Sequence, residues 1–300
     1  MPTNGVRVCD CGVGTYCAGC PGQAASIRMR AESELWMAES QETWRESTHI
    51  VEDGVYRITF SRPEQMNALT PTLYGEVKRG VQRAGVRADV DTVVIAGSPG
   101  IFAAGGDLKL FLSLLDLPDD DFTEEFGRAY DEPLPFRAIL ECPKPVITAV
   151  DGICLAGGLI MAAASDVVLA TADSTFGVPE GRVGLADPFC ATLLPLALGI
   201  SRARYLMLTG RNIDAVTAER WGLVHQVVGA GELDDAVARA VHDLRRGAPE
   251  AKTAYKLVAN SHVPYMSAEV IKNVASTANG REGLAAFKEK RSPVWRSPGN

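Results

Sequence analysis

Net positive charge, long apolar runs and histidine are all scarce in this chain. Lys and Arg number 30 against 37 Asp and Glu in 300 residues, a formal balance of -7. No long Lys/Arg run breaks that balance, whereas a nucleic-acid reader presents a basic stripe. An acidic protein can still hold a small anionic ligand, because a helix N-terminus or a single Lys suffices. The longest apolar stretch, from Gly152 to Ser165, is stopped by Asp151 and Asp166. It falls short of the ~20 residues that a membrane helix needs, so no membrane association is expected. No apolar run follows basic residues near the start, so no signal peptide is expected and the cytoplasm is the default location. The four histidines, His49, His225, His242 and His262, stand far apart in the sequence and read as packing or surface residues.

What is present is ordinary for a folded protein. The apolar fraction is 46%, which excludes disorder over most of the chain. A chain of this length buries roughly three quarters of its unfolded surface and needs no disulfide or metal to close a core. Cysteine is unevenly placed. Cys142, Cys154 and Cys190 lie in apolar surroundings and read as small core residues. Cys9, Cys11, Cys17 and Cys20 crowd the start as C-x-C-x5-C-x2-C. Four thiolates can surround a zinc, but this spacing misses the common paired-knuckle pattern. The other reading is a tail whose thiols do nothing specific, and no metal is expected.

Residues 1–47 differ from the rest. They open with Gly, Cys and Pro, then run polar from Ala24 to Ser47 with Trp36 and Trp44 and no clear apolar face. They are expected to be a non-catalytic extension, with residues 48–300 forming one catalytic unit. From His49 the pattern tightens into two strands joined by Asp53-Gly54. Thr70-Pro71 is a cap and first-turn signal for a helix to about Val86. Thr92–Ala96, Pro145–Val150 and Val167–Ala170 are short apolar strands, and Val224–Val228 is another. From Pro188 the remainder is mostly helical. Strands alternating with helices give an α/β fold.

No dinucleotide fingerprint, phosphate-binding P-loop, zinc-protease helix motif or nucleophile elbow is present. Two strand–glycine loop–helix junctions stand out instead, Phe102-Ala103-Ala104-Gly105-Gly106-Asp107-Leu108 and Val150 to Gly158 through Ala156-Gly157. Small residues let a ligand approach the backbone, and the first N–H groups of a helix are unpaired. Two such groups converging on one oxygen make an oxyanion hole. Tight packing alone is the other reason for such turns.

From Val55 to Arg291 the chain resembles the enoyl-CoA hydratase/isomerase (crotonase) superfamily. The resemblance is carried by Arg62-Pro63 with Asn67-Ala68-Leu69, the Phe102–Leu108 loop, Pro143-Lys144-Pro145-Val146 and Ala149-Val150-Asp151-Gly152. It continues through Gly157-Gly158, Asp166, Phe176-Gly177-Val178-Pro179-Glu180 with Gly184, Leu208-Thr209-Gly210, Gly222-Leu223-Val224 and Phe287-Lys288-Glu289-Lys290-Arg291. It implies a crotonase-like spiral of ββα units with a helical C-terminal region, a homotrimer or a hexamer of paired trimers, and an acyl-CoA thioester as substrate, with coenzyme A as part of that substrate and no other cofactor. The N–H groups of Ala104 and Gly157 would hold the thioester oxygen. Ala68, with Ala103, Ala104, Gly105, Gly106, Asp107 and Leu108, would line the coenzyme A groove, and Lys290 or Arg291 would reach a phosphate. A solvated helix face is the other reading of those two cations, and a helix cap that of Asp107.

Hydratases of this family resemble one another in having two glutamates. The second is matched by Glu180, but Ile160 stands at the first. Adding water requires a group to position and deprotonate it, whereas one carboxylate can take a proton from one carbon and return it to another. Glu180 with Ile160 therefore favours double-bond isomerisation, with a carboxyl pKa raised by an apolar pocket. Asp187 is a further candidate catalyst, and Asp before Pro is also a helix cap. With Asp187 as second carboxylate, hydration, dehydration or C–C cleavage is the competing reaction. A competitor of another class is a catalytically weak CoA-binding scaffold whose Cys-containing arm binds a partner. The acidic run Asp119, Asp120, Asp121, Glu124 and Glu125 reads as a solvated face or pocket lid.

Overall fold

A computed structural model of the chain describes residues 41–114, 121, 124–125, 134–264 and 274–295. Cys9, Cys11, Cys17 and Cys20, together with Asp119 and Asp120 of the acidic run, lie outside the described residues.

Eleven strands among the described residues form two sheets. The larger has the order β1-β2-β3-β4-β6-β8-β11 and contains β1 (Gln41–Thr43), β2 (Ser47–Glu52), β3 (Val55–Phe60), β4 (Thr92–Ala96), β6 (Val146–Val150), β8 (Val167–Thr171) and β11 (Gln226–Val228). The smaller has the order β10-β9-β7-β5 and contains β5 (Ile101–Ala103), β7 (Ile153–Leu155), β9 (Thr175–Gly177) and β10 (Asn212–Asp214). Strands β2 and β3 are antiparallel across Asp53 and Gly54, whose φ angles are 46° and 76°. Two positive φ values in a two-residue turn match the twist of the strands it joins, which is why Asp-Gly stands there.

The helices are α1 (Pro71–Val86), α2 (Leu108–Leu114), α3 (Phe136–Glu141), α4 (Gly157–Ala164), α5 (Pro188–Leu198), α6 (Ile200–Thr209), α7 (Ala215–Trp221), α8 (Leu233–Arg245), α9 (Pro249–Asn260) and α10 (Ala278–Lys288). The repeating unit is a long-sheet strand, a short-sheet strand and a helix: β4–β5–α2, then β6–β7–α4, then β8–β9–α5. Parallel pairing of β4, β6 and β8 on one layer, and of β5, β7 and β9 on the other, makes each unit step forward along the same axis. This is the crotonase-like spiral, followed by a helical C-terminal region.

Strand β4 is buried on both faces, as parallel strands usually are. Its Val93 and Ile95 join the main core, while Val94 and Ala96 join a second cluster with Ile147, Ala149, Leu169 and the α8 residues Ala236, Val237 and Val241. Alternation along the strand thus sends successive side chains into two separate cores.

A buried polar network fixes α1 against the sheet. Thr70 Oγ1 caps the helix by accepting from Leu73 N at 3.0 Å. Farther along, Glu76 Oε2 accepts from Ser47 Oγ at 2.6 Å, and Ser47 Oγ lies 2.9 Å from His49 Nε2. His49 Nδ1 lies 3.0 Å from Tyr56 Oη. Burial pushes the imidazole of His49 down to a pKa of about 4 and the phenol of Tyr56 up to about 12, so both are neutral near pH 7.

Candidate active site

The site is built where the two glycine-containing junctions meet. Asn67, fully buried and at φ 48°, ties the loop before α1 to the end of β5. Its Nδ2 donates to Ile101 O at 2.8 Å and Phe102 O at 3.2 Å, and its Oδ1 accepts from Arg62 N at 2.9 Å. Beyond β5, Leu69 N donates to Gly105 O at 2.8 Å and Asp107 N donates to Leu69 O at 3.0 Å. That parallel bridge uses the peptide groups on either side of Gly106 and turns the N–H of Gly106 the other way.

The second junction enters α4. Ala156 precedes the helix at φ 53° and ψ -125°, a conformation that costs an L-residue about 1–3 kcal/mol. It hands the helix over to Gly157, whose N–H is one of the unpaired donors of a helix start. The junctions touch through atoms that only small residues leave room for. A Cβ on Gly105 would meet Ala156 Cβ at 2.8 Å, and one on Gly158 would meet Ala103 Cβ at 2.9 Å.

A cavity of about 200 Å³ opens between them. Gly106, Leu108, Ala156 and Gly157 line one side, and Tyr74 and Leu134 also contribute. Pro179, Glu180, Val183, Leu185, Ala186, Asp187 and Phe287 complete it. Phe287 reaches this place because α10 lies close to the turn that follows Glu180: a Cβ on Gly283 would meet Val183 backbone at 2.5 Å.

The expected donor pair is half corrected. Ala104 gives its N–H to Met66 O at 3.0 Å, so that group is spent on the fold and is not available to a ligand. Among the described residues, no hydrogen bond takes the N–H of Gly106 or of Gly157, and both residues line the cavity. The spacing of the motif identifies the loop, but the direction of each N–H is set by the bridge to Leu69, which the sequence does not announce.

Two carboxyl groups share the cavity. Glu180 begins the short turn Glu180–Val183, and its Oε2 is buried without a hydrogen-bond partner. Burial first, and the neighbouring Asp187 second, push its pKa up to about 8. Asp187 Oδ1 accepts from Phe189 N at 2.8 Å and Cys190 N at 3.4 Å, so this residue caps α5 and lines the cavity at once. Burial raises its pKa to about 6, with those two N–H groups pulling the other way. Near pH 7 the pair therefore carries about one negative charge. Ile160 is fully buried in α4 and belongs to the main core.

The remaining expected groove residues divide by exposure. Leu108 lines the cavity beside Gly106. Ala68 is half-buried, and its carbonyl accepts from Arg62 Nη1. Ala103 and Gly105 are buried behind the loop. Asp107 Oδ1 caps α2 by accepting from Lys109 N at 3.0 Å, and its Oδ2 lies 3.6 Å from Arg62 Nη2. Lys290 is exposed just past α10, whereas Arg291 is engaged by Glu282 and Glu289 at 2.6 Å. Tyr74, Leu134, Val183, Leu185 and Phe287 were not among the expected site residues. Tyr74 and Leu134 lie far in sequence from the motif loops, Val183 and Leu185 closely follow Glu180, and Phe287 opens the last of the family-like segments, but nothing local marks any of them as lining a cavity.

Among the described residues no group of three or more His, Cys, Asp or Glu is placed to hold a metal ion, and no helix is long and apolar enough to cross a membrane.

Comparison with known proteins matches residues 51–298 to the enoyl-CoA hydratase/isomerase family. The chain is 34% identical over 259 residues to a probable enoyl-CoA hydratase of Mycobacterium leprae, covering 82% of this chain and 97% of that one. It is 31% identical over 269 residues to a carnitinyl-CoA dehydratase of Salmonella agona, covering 84% and 98%. Among solved structures, a carnitinyl-CoA hydratase from Mycobacterium avium superposes with a TM-score of 0.72 at 28% identity, covering 85% of this chain and 99% of that one.

Proposed function

The chain belongs to the enoyl-CoA hydratase/isomerase family, and from that premise we propose that it moves a proton on an enoyl-CoA thioester through an enolate. The observation that carries this reading is the placement of Glu180. Its buried, unpartnered Oε2 belongs to a residue of the same cavity wall as two uncommitted backbone N–H groups.

In the proposed reaction the thioester oxygen accepts hydrogen bonds from Gly106 N and Gly157 N. Glu180, as carboxylate, takes a proton from the carbon next to the thioester of a β,γ-unsaturated substrate. The C–H electron pair moves into the conjugated system, and negative charge gathers on the thioester oxygen. Donors aimed there are each worth on the order of a hundredfold in rate or more. Glu180 then returns the proton to the γ carbon, which leaves the α,β-unsaturated isomer and the free carboxylate. A carboxyl group with a pKa near 8 is both a competent base and a competent acid around neutral pH. The wall formed by Leu108, Leu134, Val183, Leu185 and Phe287 suits an apolar acyl group. Lys290 is proposed to meet a coenzyme A phosphate.

Asp187 favours a second reading. It is ionised near pH 7 beside a protonated Glu180, which is the division of labour that hydration or dehydration requires. The two readings separate on product. The first expects a 3-enoyl-CoA to be converted to its 2-enoyl isomer without uptake of water. Formation of a 3-hydroxyacyl-CoA from a 2-enoyl-CoA overturns it in favour of the second.

A further inference from the structure

Tyr74 projects from α1 into the cavity wall beside Gly157. A Cβ built on Gly157 would meet Tyr74 Oη at 2.0 Å and Cζ at 3.1 Å, so the hydroxyl, rather than the ring, is the part that rests on Gly157. The Cα–N bond and the Cβ direction meet at one Cα, so the phenol oxygen lies within about 4.5 Å of the Gly157 nitrogen. Among the described residues, Leu69 Cδ1 is the other side chain close to that position, at 3.0 Å.

The ring is held in place before any ligand arrives. Tyr74 is 4% exposed and meets Phe136 edge-on at 5.9 Å between centroids, and Phe136 in turn packs on Phe189 at 4.9 Å. Helix α1 is itself anchored by Thr70 at its start and by the Glu76–Ser47 contact in its second turn. A hydroxyl fixed in this way needs little rearrangement when charge develops beside it, which is the condition for electrostatic stabilisation of a transition state.

We propose that the Tyr74 hydroxyl is a third donor to the thioester oxygen, acting beside the N–H groups of Gly106 and Gly157. The same contact explains why residue 157 must lack a side chain: any Cβ would displace the hydroxyl. Tyr74 thereby becomes a catalytic residue contributed by a helix that carries none of the motif loops. The inference rests on the acyl-CoA reading and adds one group to it.

The test uses the full chain and acetyl-CoA labelled with ¹³C at the thioester carbonyl. Tyr74→Phe removes only the oxygen and keeps the ring contacts with Phe136. Infrared difference spectra of the bound probe report carbonyl polarisation, and α-proton exchange of the same probe in heavy water gives kcat and KM. The carbonyl band of the wild-type complex is expected to move to lower frequency, and Tyr74→Phe is expected to reverse part of that move. Its kcat is expected to fall about 10- to 100-fold with KM changed far less, the mark of an interaction made mainly in the transition state. An unchanged band and an unchanged kcat in Tyr74→Phe overturn the third donor and leave the thioester reading standing. A rise in KM alone also overturns it, since the hydroxyl would then only bind the ground state. A wild-type protein that neither binds the probe nor shifts its carbonyl overturns the thioester reading, and this proposal with it.

Discussion

Asp187 and Glu180 line one cavity, and the charge of Asp187 adds to burial in holding the Glu180 carboxyl above its ordinary range. Two neighbouring carboxyl groups in an apolar wall cannot both ionise cheaply, so their titrations separate, at about 6 and about 8.

That separation sets the pH dependence of the reaction. If Glu180 acts as the base, proton abstraction rises with pH and levels off above about 8. Asp187→Asn keeps an oxygen for the N–H groups of Phe189 and Cys190 but removes the negative neighbour. The rising limb of a kcat/KM profile should then move to lower pH. A limb that stays in place would separate Asp187 from the titration of Glu180.

The same groups make stability depend on pH. Burial raises the folded-state pKa of Glu180 from 4.5 to about 8, so the fold favours its neutral form. That contribution is fully present below about 4.5 and is lost as pH rises through about 8. Glu180→Gln is therefore expected to match or fall slightly below the wild type at pH 5 and to exceed it at pH 9. The gain should be on the order of a few kcal/mol. Urea unfolding at the two pH values measures the difference.

Ala156 holds φ 53° and ψ -125° at the entrance to α4. Glycine adopts that conformation without strain but loses more entropy on folding. Ala156→Gly is expected to stabilise the fold by about 1 kcal/mol net, the difference between a strain of about 1–3 and an entropy cost of up to about 1. A branched side chain at the same position, as in Ala156→Val, is expected to destabilise it. Melting temperatures of the two variants should lie on opposite sides of the wild-type value.

Asn67 is the joint between the loop before α1 and the end of β5. Asn67→Ala leaves Ile101 O, Phe102 O and Arg62 N short of partners in a buried place. A loss of about 2–4 kcal/mol is expected, since each buried group left unpaired costs about 1–3. Because the joint also holds the Gly106 loop, kcat should fall further than stability alone explains. Activity compared at temperatures well below melting checks this.

Much of the long sheet was legible in the sequence. The Asp53-Gly54 hairpin, the Thr70-Pro71 helix start and the apolar runs at β4, β6 and β8 are local signals, and each element formed within a few residues of its expected place. The short sheet was not legible. Strands β5, β7, β9 and β10 have three residues each and three of them adjoin or include glycine, so they show no usable alternation. Their pairing comes from the spiral, which no short window of sequence contains. The site divides along the same line. Glu180 and Gly157 sit in motifs with a recognisable order, and the structure brings them into one cavity. Ala104 rather than Gly106 gives its N–H to the fold because peptide direction alternates along a bridged segment, and Tyr74 reaches the cavity from a helix distant in sequence. Asp187 carries a cap signature that is correct and incomplete, since the same carboxyl also faces the cavity.

The central claim is that Glu180 exchanges protons with the α carbon of a bound thioester. It is tested most directly by incubating an acyl-CoA panel of different chain lengths with the protein in heavy water and following deuterium at that carbon by mass spectrometry. The account predicts incorporation by the wild type with at least one tightly bound thioester, and its loss in Glu180→Gln with binding retained. Undiminished incorporation in Glu180→Gln, or none in the wild type with any thioester that binds tightly, would contradict it.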